Sequence, residues 1–215
     1  MSEWWSYAPA DFLLFSPRIY WRLFAAINQS LWPAPLLGVA AALAWLLWFF
    51  RSGFEAAPRA AAAALGLCWL WVAWAFLWQR YAPINWAAEY FAPGFALQGL
   101  GLLTWAAAGR PRACASPLRR RAGLGLLLWA LLGHPLLAGI DGRPWWQAEV
   151  FGLAPDPTAI ATLGALLLLG GPAALWIVPL LWCAITGATL ATMGAAQALV
   201  PPAAALLAVA AAQRR

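Results

Sequence analysis

Apolar runs long enough to cross a bilayer, about 20 residues at 1.5 Å rise each, recur along this chain and constrain its fold more than any motif does. They lie at Leu31 to Phe50, Ala60 to Trp78, Trp86 to Ala107, Gly123 to Ile140 and Ala173 to Met193. Two further runs are weaker: Thr158 to Leu169 is short, and Ala195 to Ala212 contains Pro201 and Pro202. Counting both predicts an all-α, polytopic transmembrane bundle of seven spans. Only 9% of the 215 residues are charged, far below the roughly 25% of a soluble domain.

The first thirty residues carry Asp11, Arg18 and Arg22, too much charge for a span. Ser16-Pro17 is a cap-and-start signal, and Ile19, Leu23, Ala26 and Ile27 share one face, which predicts an interfacial helix over Pro17 to Gln29. Residues 1–30 are therefore read as an outer-side interfacial segment and 31–215 as one transmembrane domain. Met1-Ser2-Glu3 has no basic region before a short apolar core, so no cleaved signal peptide is expected. At the start of the Thr158 run, Asp156 can cap a helix and Pro157 suits its first position.

Orientation follows from arginine, because all 13 basic residues are Arg. Arg18, Arg22, Arg80 and Arg143 fall on one side; Arg51, Arg59, Arg110, Arg112, Arg119, Arg120, Arg121, Arg214 and Arg215 fall on the other. The richer side is expected to be cytoplasmic, with the N-terminus outside and the C-terminus inside. Acidic residues sort the opposite way: Glu3, Asp11, Glu89, Asp141, Glu149 and Asp156 are on or near the outer side, and only Glu55 is inner.

Composition also removes chemistries. Without lysine there is no retinal or pyridoxal Schiff base. One histidine (His134) and two methionines (Met1, Met193) cannot supply a bis-imidazole haem, a three-histidine zinc site or a methionine copper relay, so no cofactor and no ordinary metal centre is expected. Cys68, Cys114 and Cys183 are odd in number and no disulfide framework is indicated. No phosphate cradle, Cys-x-x-Cys or activated serine is present in sequence. The absence of an internal repeat argues against the large inverted-repeat transporter folds. Membrane lipids are the expected partners, with a membrane protein or a second copy as further candidates, and the basic face suits anionic lipids rather than nucleic acid.

The information is concentrated on the outer side. The inner loops Arg51 to Arg59 and Gly109 to Ala122 are mostly Ala, Arg, Pro, Gly and Ser, whereas Gln79 to Trp86 and Asp141 to Glu149 gather polar, charged and aromatic side chains at helix ends. Several unusual strings share this character: Phe15-Ser16-Pro17-Arg18 with Tyr20, Cys68-Trp69-Leu70-Trp71-Val72-Ala73-Trp74, Trp78-Gln79-Arg80-Tyr81, Ile84-Asn85-Trp86-Ala87-Ala88, Phe151-Gly152-Leu153-Ala154-Pro155-Asp156-Pro157-Thr158 and Pro179-Leu180-Leu181-Trp182-Cys183. In these the chain resembles an uncharacterised family of bacterial multi-pass membrane proteins, a domain of unknown function with some members labelled permeases. The resemblance implies the architecture and no functional residue.

The residues themselves offer an outer polar site. Glu89, about one turn inside the third span, is the leading candidate, because an unpaired carboxylate there is costly unless paired or facing a cavity; its structural alternative is a bond to Arg80 or Asn85. Gln98, nine residues on, faces away. His134, at similar depth in the fourth span, can relay a proton with Glu89 or simply hold a carbonyl. Arg80, Arg143, Glu149 and Asp156 can form an ion-pair network or a charged mouth, with Gln79, Asn85 and Trp86 beside them. Trp71, Trp74 and Trp78 form a stripe that reads as packing or as the wall of a lipid-soluble ligand site. Thr186, Thr189 and Thr192 either bond their own helix or line a polar path, while Gly187, Ala191 and Ala195 permit close helix approach. Two functions follow: a small-solute or ion permease with Glu89 at the floor of an outward vestibule, or a non-catalytic subunit docking a partner or a lipid-soluble cofactor.

Overall fold

A computed structural model describes Leu13 and residues 15–52, 57–109, 111–112 and 116–213. Glu3, Asp11, Glu55, Arg110, Cys114, Arg214 and Arg215, all used in the sequence reading, lie outside the described residues. The described chain is all-helical: α1 Pro17–Ser30, α2 Ala34–Ser52, α3 Pro58–Tyr81, α4 Ala88–Ala108, α5 Pro117–Ile140, α6 Pro155–Leu169, α7 Ala173–Thr192 and α8 Ala196–Gln213. Five helices, α3, α4, α5, α7 and α8, are long and apolar enough to cross a membrane.

Helix α1 starts as its sequence predicts. Ser16 is extended, its hydroxyl accepts from the Ile19 amide, and Pro17 occupies the first turn where no amide is needed. Its buried face differs from the expected one: Tyr20, Trp21, Phe24, Ile27 and Asn28 are buried, while Ile19 is 43% exposed. Aromatic packing decides this, since Phe24 stacks on Phe76 at 4.9 Å and Tyr20 meets Tyr81 edge-on at 5.7 Å. Helix α2 meets the length and composition of a span only together with α1, across an 82° bend. It stands off α3 over an apolar crevice of about 450 Å³ edged by Gly38 and alanines.

Helices α3 and α5 widen to π-helix at Val72–Tyr81 and Trp129–Gly133. Each widened stretch ends shortly before a proline, Pro83 or Pro135, where a missing amide and a ring clash disrupt ordinary helical bonding. The Ala82 amide reaches back to the Leu77 carbonyl and the His134 amide to the Trp129 carbonyl. The Trp71, Trp74 and Trp78 stripe faces outward from the protein, at 43%, 59% and 48% exposure, and is not core packing.

The Thr158 run is short for a physical reason. All 15 residues of α6 are buried, so this helix is a central pillar walled by protein; its length of about 22 Å falls short of a 30 Å hydrocarbon core. Two small-residue crossings hold the layers together: a Cβ added at Gly66 would lie 2.8 Å from the Gly99 carbonyl oxygen, and one at Gly123 would lie 2.6 Å from that of Gly164. Pro201 and Pro202 do not weaken α8, because its Ala196–Leu199 start is a 3-10 turn and they sit in the first turn of the α-helical part, Val200–Gln213. Pro202 packs tightly on Gly187, where an added Cβ would lie 2.9 Å from its ring.

The two ends of the bundle differ. At one, the Arg112 amide bonds the Leu169 carbonyl and the Arg119 guanidinium bonds the Ala212 carbonyl, which gathers the ends of α6 and α8 beside the arginine-rich segment. At the other, α1 meets the connector between α5 and α6, and the polar residues collect there.

Candidate functional site

The connector from Asp141 to Ala154, whose first part stands out in sequence for its polar and aromatic side chains, is held onto the bundle by Asn28. Its buried side-chain amide donates to the Trp146 and Ala148 carbonyls, both at 2.8 Å. Arg143 lies over the Trp21 ring, 3.7 Å from its centroid. Helix α1 thus fixes both halves of the connector, and the next residue, Glu149, turns inward and is 2% exposed.

There Glu149 meets side chains from α5, α6 and α8. Its Oε2 is 3.2 Å from His134 Nε2 and accepts from Gln197 Nε2 at 2.7 Å. Gln197 Oε1 in turn accepts from Arg143 at 2.9 Å, and Arg143 also donates to Asp141 at 3.2 Å. Asp156, at the buried start of α6, completes the group: one ligand-type atom each of His134, Glu149 and Asp156 lies within 4.8 Å of the other two. Asp156 does not cap its helix. Pro155 rather than Pro157 opens α6, the cap position is Ala154 with no side-chain bond, and the Asp156 carboxylate instead accepts from Trp182 Nε1 at 2.7 Å and Thr186 Oγ1 at 2.9 Å. Thr189 and Thr192 bond carbonyls of their own helix; Thr186 is the exception.

Three polar atoms of the cluster and its adjoining arginine have no hydrogen-bond partner, Arg143 Nε among them. Glu149 Oε1 and His134 Nδ1 are buried and unpaired, which in a folded interior is costly and marks a place where a proton, an ion or a water completes the bonding. Arg143 is shared between Asp141 and Gln197, which leaves two buried carboxyl groups and one imidazole facing one another.

Of the nine residues expected at an outer polar site, His134, Arg143, Glu149 and Asp156 come together. The others do not join them. Glu89 is exposed in the first turn of α4, beside Trp86 and Tyr90, whose rings meet edge-on at 5.9 Å. Arg80 donates to the Ala75 carbonyl and to Ser30, and Asn85 accepts from the Ala87 amide, so neither pairs with Glu89. Gln79 and Trp86 are exposed. His134 is paired with Glu149 and not with Glu89. A helix start is well solvated at its exposed amides and holds a carboxylate cheaply, so Glu89 has no need of a buried partner.

Asn28, Trp182 and Gln197 are not legible as site residues in the sequence, and Thr186 is singled out there only as one of three threonines that either bond their own helix or line a polar path. Only the unusual density of polar side chains in the Asp141 to Asp156 connector pointed toward them. Gln98, set aside in sequence, is buried and donates to the Leu175 carbonyl at 2.9 Å, an ordinary tie between α4 and α7.

A family of unknown function, DUF6064, matches residues 17–215. The chain belongs to that family. No curated protein and no solved structure matches it. In this DUF6064 member the matched region takes in every residue of the buried cluster and of the α1 clamp that positions it.

Proposed function

We propose that this protein is a membrane permease for a small cation, with the His134–Glu149–Asp156 cluster as its cation site. The observation that carries the reading is three acid–base side chains within 4.8 Å of one another, all buried in a bundle of apolar helices. Ionisable groups placed in such an interior mark ion pathways and proton relays, because packing alone is achieved more cheaply with apolar residues. The candidate site thereby moves from Glu89 to Glu149.

The finer topology belongs to the same proposal: seven crossings, the N-terminus outside, the C-terminus in the cytoplasm of a bacterial cell. It draws support from the separation of the two ends, with Arg112 and Arg119 beside the ends of α6 and α8, and Arg80 and Arg143 at the opposite end. In this reading α6 serves as a crossing shielded from lipid. The alternative, a docking subunit, draws on the exposed Trp32, Trp86 and Trp145, but an interfacial aromatic belt accounts for these equally and a docking surface requires no buried acid–base group.

The test is flux into proteoliposomes, with an internal pH dye for protons and an internal metal-quenched dye for Mn²⁺. The wild-type protein is expected to speed entry of at least one of the two over empty vesicles. Glu149→Gln, which keeps shape and removes charge, is expected to abolish that gain, while Glu89→Gln leaves it unchanged. Equal rates for wild type and Glu149→Gln, or loss on changing Glu89 alone, sink the proposal.

A further inference from the structure

Resting on that reading of the site, we infer that its ion is a divalent first-row transition metal, such as Mn²⁺ or Zn²⁺, held by His134, Glu149 and Asp156. Three atoms no more than 4.8 Å apart have a common point at most about 2.8 Å from each, so contraction by less than an ångström gives the 2.0 to 2.2 Å bonds of such ions. The His134 Nε2 to Glu149 Oε2 separation of 3.2 Å is close to what two ligands of one tetrahedral ion about 2 Å away present to each other.

Three independent features point to a metal. Glu149 Oε1 is buried and unpaired, so this carboxylate has a lone pair to give beyond its bonds to His134 and Gln197. In the protonation states that bind a metal, two carboxylates and an imidazole would be matched in charge by one dication, and the Arg143 guanidinium is directed to Asp141 and Gln197. The surrounding donors resemble the supports that orient metal ligands: Gln197 on Glu149, and Trp182 with Thr186 on Asp156. The imidazole disfavours Mg²⁺ and Ca²⁺, which take all-oxygen sets. This departs from the expectation of no ordinary metal centre, which was reasoned from centres rich in histidine or methionine and left one histidine with two carboxylates unconsidered.

The experiment is equilibrium binding to the full chain in detergent after dialysis against a chelator. Mn²⁺ is titrated with free ion counted by electron paramagnetic resonance, and Zn²⁺ against a competing dye. One ion per chain is expected, with affinity lowered about tenfold or more in His134→Gln, Glu149→Gln and Asp156→Asn. Stoichiometric binding that persists in all three variants overturns the inference, as does wild-type protein that is folded and binds neither ion. Should the variants fail to fold, Co²⁺ loaded into wild type decides: a spectrum of cobalt bound by one nitrogen and at least two oxygens supports the site, and that of the hydrated ion refutes it. Binding without flux would retain the metal site and remove the permease. Proton flux without binding would do the reverse.

Discussion

Gly164→Leu is expected to prevent assembly of the bundle, and even Gly164→Ala should cost roughly 1 to 3 kcal/mol, the usual range for overpacking. A Cβ at residue 164 would stand 2.7 Å from the Gly123 carbonyl oxygen and 3.1 Å from the Leu127 amide nitrogen. These are backbone atoms, so no rotamer change relieves the clash. The helices must separate, and with them the contact between α5 and α6 that brings His134 toward Asp156. Gly139→Ala on the same α5 is the control, since nothing lies within 4 Å of its added Cβ. Thermal unfolding in detergent checks the pair, and equal melting temperatures would refute the close crossing.

Asp156→Ala should rank next, at about 3 to 5 kcal/mol. It strips the acceptor from both the Trp182 indole and the Thr186 hydroxyl, each buried, and an unpaired buried donor costs about 1 to 3 kcal/mol. A helix cap alone would have been worth about 0.5 to 2 kcal/mol. Asp156→Asn keeps an oxygen for the indole and should cost far less. Measured by the same unfolding, a similar loss for both variants would show that the two bonds do not carry the effect.

These two residues also show what the sequence could and could not reveal. The apolar runs, the Ser16-Pro17 helix start and the gathering of polar residues around Asp141 to Asp156 are local features, and local chemistry dictates them. Gly123 and Gly164 lie far apart in the chain, so nothing local identifies them as partners. Asp156 was assigned to the cap because that is what an aspartate at a helix start does when solvent surrounds it; the burial of α6 on every side removes that premise. Glu89 was overvalued for a related reason. Hydropathy places a residue along a membrane normal but not around it, so an exposed first-turn glutamate and a buried one look alike. Glu149 was undervalued because its inward turn depends on Asn28, more than a hundred residues earlier in the chain.

The central claim is that His134 belongs to a cluster with Glu149 and Asp156 and not to the Glu89 hairpin. As the chain's single histidine, it can be observed alone by nitrogen-15 magnetic resonance of protein labelled only at histidine. The two ring resonances are expected to shift strongly in Glu149→Gln and Asp156→Asn and to stay in place in Glu89→Gln. Ring resonances that ignore Glu149→Gln, or that move with Glu89→Gln, would contradict the claim.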